Sequence, residues 1–239
     1  MYRPLSFIAV ILLAAQVSLA SDPMNGLSKD TPMVVDQRAR EIRLLAGLQP
    51  DAFGPGWLRQ LPGHHAVTWR GGRKSREAML VTYASDAQVH DALISLGVKP
   101  GNNLTQEVWD ERDNPKSKAP ETRVAGDPLV ALVWWEGLKE PLPLEALLRN
   151  PTGKRIDLRF GGHKSLIPVW RSGCIICMQS CPGAKISNRN STMRDYVDGN
   201  ATFAVNDAIV PAGKRDAVVI VRPVDSKATR DVLDADSSK

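Results

Sequence analysis

The sequence predicts an α+β fold: a β-rich single domain with one clear helix and a short cysteine-bearing helix or loop. Three observations lead there. Short apolar stretches bounded by Gly, Pro and polar clusters recur along the chain, as strands do. One stretch, DAQVHDALISLGV from Asp86 to Val98, has helical spacing instead. All three cysteines, Cys174, Cys177 and Cys181, fall inside WRSGCIICMQSCPGAK, Trp170 to Lys185.

The elements follow in order. MVVDQRAREIRLLAGL, Met33 to Leu48, fits either an amphipathic helix, with Val34, Ala39, Ile42, Leu45 and Leu48 near one face, or two strands about a Gln37-Arg38 turn. FGPGWLRQLPGHH, Phe53 to His65, reads as loop leading to a strand over Ala66 to Trp69, and RGGRK, Arg70 to Lys74, as a basic turn. EAMLVTYA, Glu77 to Ala84, is a strand. Asp86 then caps the helix, whose Val89, Leu93 and Leu96 share a face and whose end is marked by Gly97. Lys99 to Asp127 is polar and proline-containing, a strand plus long loop. LVALVWWE, Leu129 to Glu136, is a buried strand; Pro143 to Asn150 adds a short helix or strand and Arg155 to Phe160 another strand. Further strands are expected near Ala201 to Val205 and Ala217 to Val224.

The first twenty residues read as an export signal. Arg3 precedes an apolar run, Phe7 to Ala15, and a Ser18-Leu19-Ala20 cleavage pattern of Sec type. Gln16 and Ser18 interrupt the run short of the roughly 20 apolar residues a membrane span needs. No cysteine follows the cleavage point to accept a lipid. The mature chain is therefore expected in the periplasm or secreted, with no integral span. Residues 21–31 are expected to be flexible, 32–224 to form the domain, and 225–239 to be a disordered charged tail. The charge of +5 in 239 residues is too mild to indicate nucleic acid.

The cysteine run carries the chemistry. It resembles the end of the bacterial ferredoxin motif C-x2-C-x2-C-x3-C-P, but the first cysteine position holds Arg171. An odd number of cysteines allows one internal disulfide at most, and closing the short Cys174–Cys177 loop would yield only about 2 kcal/mol. A helix from an N-capping Ser172 to Cys181, halted by Pro182, would set the sulfurs within about 60° of one another at about 100° per residue. Lys164, Arg171, Lys185, Arg189 and Arg194 lie between Gly161 and Arg194 without an acidic residue, which favours thiolates if they converge.

Such a site could hold an iron–sulfur cluster, zinc or copper(I), with His163, or alternatively His64, His65 or His90, as a fourth ligand. A cluster would have to cross the membrane folded, and the MYRP n-region lacks paired arginines. Other readings are a thiol-disulfide oxidoreductase attacking through Cys174 and resolving through Cys177, an envelope redox accessory with a redox partner, a non-catalytic envelope binding module, and plain packing of small apolar thiols. No nucleophile elbow, H-E-x-x-H or Walker sequence is present, so a hydrolase or nucleotide enzyme is not indicated.

RIDLRFGG, then GCIICMQSCPGAKISN, with LGVKPGNNLT upstream, resembles the YdjY-like domain of bacterial envelope proteins, over about Pro32 to Val224. The resemblance implies an exported protein or lipoprotein with a run described as ferredoxin-like, and favours strands for Met33 to Leu48. Cys174, Cys177, Cys181, Pro182, Gly161, Gly162, Ser187 and Asn188 would be the counterpart residues. Lipid anchoring does not transfer, because the lipid-accepting cysteine is missing.

Overall fold

Apolar residues at every second position wall off the centre of the molecule. The computed structural model describes residues 22–53 and 63–224, so the expected signal and charged tail lie outside the described residues. β1 (Met33–Asp36) and β2 (Glu41–Leu48) form an antiparallel hairpin in which Asp36 faces Glu41. The Asp36 carboxylate accepts the Arg38 and Ala39 amides at 2.9 and 2.8 Å, closing the turn by the side-chain mimicry typical of Asp. Of the two readings for this stretch, the strands are the ones formed.

β3 (His65–Trp69), β4 (Leu80–Thr82), β5 (Pro128–Trp134), β6 (Leu142–Pro143), β7 (Leu148–Arg149), β8 (Leu158–Phe160), β9 (Cys174–Cys177), β10 (Ile186–Asn188), β11 (Ala204–Val205) and β12 (Arg215–Pro223) follow. The hydrogen-bonded order β2-β12-β5-β8-β10-β9-β3-β4 returns to β2 through Ala46↔Thr82, Gly47↔Val81 and Leu48↔Leu80. Eight strands thus close on themselves. The α+β expectation is overturned: the molecule is a closed β-barrel, a solution that removes the sheet edges an open sheet would expose. Closure joins β2 to β12 from opposite ends of the chain, and no local pattern announces that pairing.

The helices decorate the barrel. α1 (Asp86–Ser95) is ten residues long; α2 (Glu107–Asp110), α3 (Ile167–Trp170) and α4 (Met193–Val197) have four or five. The N-cap of α1 is Ser85 rather than Asp86. Its Oγ accepts the Gln88 amide at 3.2 Å while Gln88 Oε1 accepts the Ser85 amide at 2.8 Å, a reciprocal capping box. Residues 99–127 contain no strand; they form α2, a 3-10 turn and loops, tied down by a Pro100↔Gly126 bridge.

Ile42, Leu44, Ala46 and Leu48 of β2, Ala131 and Val133 of β5, and Val219 and Val221 of β12 fill the barrel interior. Each such aliphatic chain contributes about 1.5–3 kcal/mol when fully buried. The alternate residues Leu132, Val218 and Ile220 face outward and are covered by Met24 and Leu27, whose segment is held where Arg43 Nη1 donates to the Pro23 and Asn25 carbonyls. A third apolar cluster lies outside the wall at β9, between it and α2, α4 and the 104–124 loops. The cysteines are there.

Candidate metal centre

The cysteine segment is a strand followed by a return loop, not the helix its spacing suggested. Gly173, at φ +68°, turns the chain into β9 in a conformation costly for other residues. Paired β-branched Ile175 and Ile176 then favour extended backbone. Ser172, expected as a helix cap, accepts the Cys174 amide at 3.2 Å instead.

In a regular strand, residues three apart point to opposite faces. Cys174 and Cys177 nevertheless share one face, because β9 carries an extra residue against β3. Val67 pairs with Ile176 but the next residue, Thr68, pairs with Cys174, so Ile175 is the inserted residue of a β-bulge. Ile175 and Ile176 both enter the barrel core, whereas Cys174 and Cys177 emerge in the outer cluster.

Cys181 reaches the same cluster from the connection between β9 and β10. These strands are parallel neighbours, Ile186↔Ile176 and Ser187↔Cys177, so residues 178–185 must run back within a very short loop. Buried polar groups hold it: Asn188 Nδ2 donates to the Met178 carbonyl at 3.2 Å, and Ser187 Oγ both accepts the Cys181 amide at 3.4 Å and donates to its carbonyl at 3.3 Å.

The three thiols are free and buried. Cys174, Cys177 and Cys181 share one apolar cluster, and both neighbours act on the Cys177 thiol. Burial, with the Cys174 thiol adding to it, pushes the Cys177 thiol well above the usual range. Cys181 is pushed up chiefly by its contact with Cys177 and then by burial. Backbone amides oppose this: that of Gln179 is directed at Cys177, and those of Gly183 and Ala184 at Cys181.

The expectation of an electropositive pocket with low thiol pKa values does not hold for Cys177 and Cys181. Lys164 pairs with Asp91 at 2.6 Å on the surface, Arg171 donates to the Pro168 carbonyl, Arg189 to that of Val124, and Arg194 to that of Arg112. Lys185 alone among the five is beside the sulfurs. It is fully buried, donates to the His163 carbonyl at 3.0 Å, and is pulled down to about 8 by burial, with Asp86, Cys174 and Cys181 pulling the other way.

Sequence reasoning placed His163 first among the fourth ligands. Its Nε2 accepts the Leu104 amide at 3.0 Å, so that lone pair is taken, and burial lowers its pKa to about 4. His90 hydrogen-bonds Asp91 at 2.9 Å on α1. His65 is the histidine that meets the thiols: its Nδ1 is 3.3 Å from Cys174 Sγ, and its buried Nε2 has no hydrogen-bond partner. Burial holds the ring well below the ordinary imidazole range, with His64 and Lys74 adding to this, and a neutral imidazole is the form that binds metal. A ring nitrogen of His65, one of the half-buried His64, and Cys177 Sγ all lie within 4.8 Å of one another.

The chemistry open to this group is set by its donors. Three soft sulfurs and a neutral imidazole suit zinc(II) or copper(I). An iron–sulfur cluster would need them spread over several irons.

The chain can now be set beside known proteins. No solved structure matches it. It is 26% identical, over 196 residues, to the Escherichia coli (strain K12) protein named "Uncharacterized protein YdjY", covering 82% of this chain and 80% of the relative. The family model described as the YdjY domain matches residues 33–222, from the first strand of the hairpin to the last strand of the barrel. This chain belongs to the YdjY domain family.

Proposed function

We propose that this protein is exported to the cell envelope and holds a single zinc(II) or copper(I) ion, without catalysis, through Cys174, Cys177, Cys181 and His65. The observation that carries the reading is the gathering of three buried free thiols in one apolar cluster beside a buried imidazole, whose Nδ1 is 3.3 Å from Cys174 Sγ.

Charge supports the same reading. Three thiolates in an apolar cluster would be prohibitive alone. Zinc(II) cancels two charges and the Lys185 ammonium the third, whereas copper(I) would leave one thiolate charge uncancelled. The amides directed at Cys177 and Cys181 would hold the metal-bound sulfurs as an outer shell. Four protein ligands leave no open position, the pattern of structural rather than catalytic metal sites. The same burial counts against a thiol oxidoreductase, whose attacking sulfur must be accessible and ionised.

The test is elemental analysis of protein isolated from the periplasm, beside a Cys174→Ser, Cys177→Ser, Cys181→Ser triple variant. One zinc or copper per chain, absent from the triple variant and weakened about 10- to 100-fold in affinity by His65→Ala, is the expected outcome. Metal-free wild-type protein that also refuses added zinc and copper(I) would remove the reading.

A further inference from the structure

Large apolar side chains are mostly covered in this molecule, and the clearest exception is a short excursion of the chain between β8 and β9. It is bounded by His163 and Arg171, both left-handed at φ +50°, and runs through the exposed Lys164, Ser165, Pro168 and Val169 and the half-buried Leu166, Ile167 and Trp170. Val169 is 61% exposed, the highest value among the large hydrophobic residues described. The base of the excursion is anchored, since Trp170 packs against the cysteine-bearing cluster and meets the Trp109 ring edge-on at 5.5 Å. Pro168 and Val169 are left to the solvent.

Arginines flank this tip. The turn over residues 70–76 docks at its end, where the Arg73 amide donates to the Arg171 carbonyl at 2.9 Å and the Lys74 amide to that of Ser172 at 3.1 Å, so the exposed Arg73 and Arg171 are neighbours. Arg70 and Arg76 belong to the same turn. Lys74 and Lys164 are paired with Glu77 and Asp91, but none of these four guanidinium groups pairs with a carboxylate among the described residues. On α2, the element beside Trp170, Asp113 is paired with Arg112, while Glu107 and Asp110 are turned about 200° and 100° round the helix from Trp109.

We propose that this tip and its arginines dock the protein onto an anionic phospholipid surface, with Pro168 and Val169 entering the headgroup boundary and Arg73 and Arg171 taking lipid phosphates. The planar fork of arginine matches phosphate oxygens, and attraction to anionic lipid adds to the shallow burial of apolar side chains. So short a protrusion is too small to bury the roughly 800 Å² per partner of a stable protein interface, whereas a bilayer receives a tip of any size. No helix among the described residues is long and apolar enough to cross a membrane, so the contact is peripheral. The inference does not depend on the metal reading, and export is what would bring the tip to such a surface.

The experiment is co-sedimentation of protein isolated from the periplasm with vesicles of phosphatidylglycerol and phosphatidylethanolamine, beside vesicles of phosphatidylcholine alone, with thermal unfolding of every variant as a control on the fold. Binding confined to the anionic vesicles, and falling as salt is raised to about 0.5 M, is the expected result. Val169→Asp should weaken it roughly tenfold or more, as should Arg73→Gln combined with Arg171→Asn, asparagine being a residue that tolerates the left-handed position. Val169→Leu should retain it. Absence of binding, equal binding to both kinds of vesicle, or binding that survives Val169→Asp overturns the proposal, the last by showing attraction through overall charge alone. A concentration-dependent dimer that Val169→Asp abolishes without vesicles overturns it as well, by giving the tip to a second copy of the chain. Each of these outcomes leaves the metal centre standing.

Discussion

His163 shows how a single side chain can look like a ligand and serve the fold. Its Nε2 accepts the Leu104 amide, its carbonyl accepts the buried Lys185 ammonium, and its own φ of +50° places it at a turn after Gly162. Because its folded pKa is about 4 against 6.5 for the free side chain, the unfolded chain binds a proton between those values and the folded one does not. Its contribution to stability is therefore complete above about pH 6.5 and lost as pH falls toward 4. Urea unfolding at about pH 7 and about pH 4.5 should show this, and His163→Gln, which keeps an acceptor for Leu104, should shrink the acid loss by on the order of 2–3 kcal/mol. The clustering of Cys174, Cys177 and Cys181 was legible in the sequence because it needs only proximity along the chain. The partnership with His65 was not, since it joins residues 109 apart that meet only across β3 and β9. The neighbouring pair His64-His65, placed before an apolar run, was the available signal.

At the scale of elements, the helix α1 and the strands β3 and β5 could be read from local pattern, because capping and apolar spacing agree there, whereas the spacing of Met33 to Leu48 fitted a helix as well as the β1–β2 hairpin it forms. β9 could not. Spacings of three and four residues look helical, and a strand matches them only when a bulge resets its alternation, as Ile175 does. The entry to β9 is equally dependent on a close crossing. A Cβ on Gly72 would come within 2.3 Å of the Ser172 carbonyl oxygen and 2.5 Å of Gly173 Cα, both backbone atoms that cannot swing aside. Gly72→Ala should accordingly cost about 1–3 kcal/mol and weaken metal retention together, measurable by thermal unfolding and by metal titration on one preparation. A normal metal affinity in a destabilised variant would show that the crossing and the centre are independent.

For the whole molecule, the barrel depends on pairing its second strand with its last. β12 is hydrogen-bonded to β2 along one side, from Arg215↔Leu48 to Val221↔Ile42, and to β5 along the other. A chain ending before Arg215 loses both seams and uncovers the interior, so it should lack a cooperative melting transition in circular dichroism even with metal present. Such long-range pairing leaves no trace in local apolar spacing, which is why closure escaped the sequence and an α+β sheet was expected instead. The return loop between β9 and β10 has a consequence of its own. Its eight residues span two strands running the same way, so there is no spare chain between the second sulfur and the third. The reach of Cys181 is thus metered by covalent length rather than by how its neighbours pack: an inserted residue would detune the grip on the ion while the wall behind it stayed intact, and a pull on that loop would loosen one sulfur before any other.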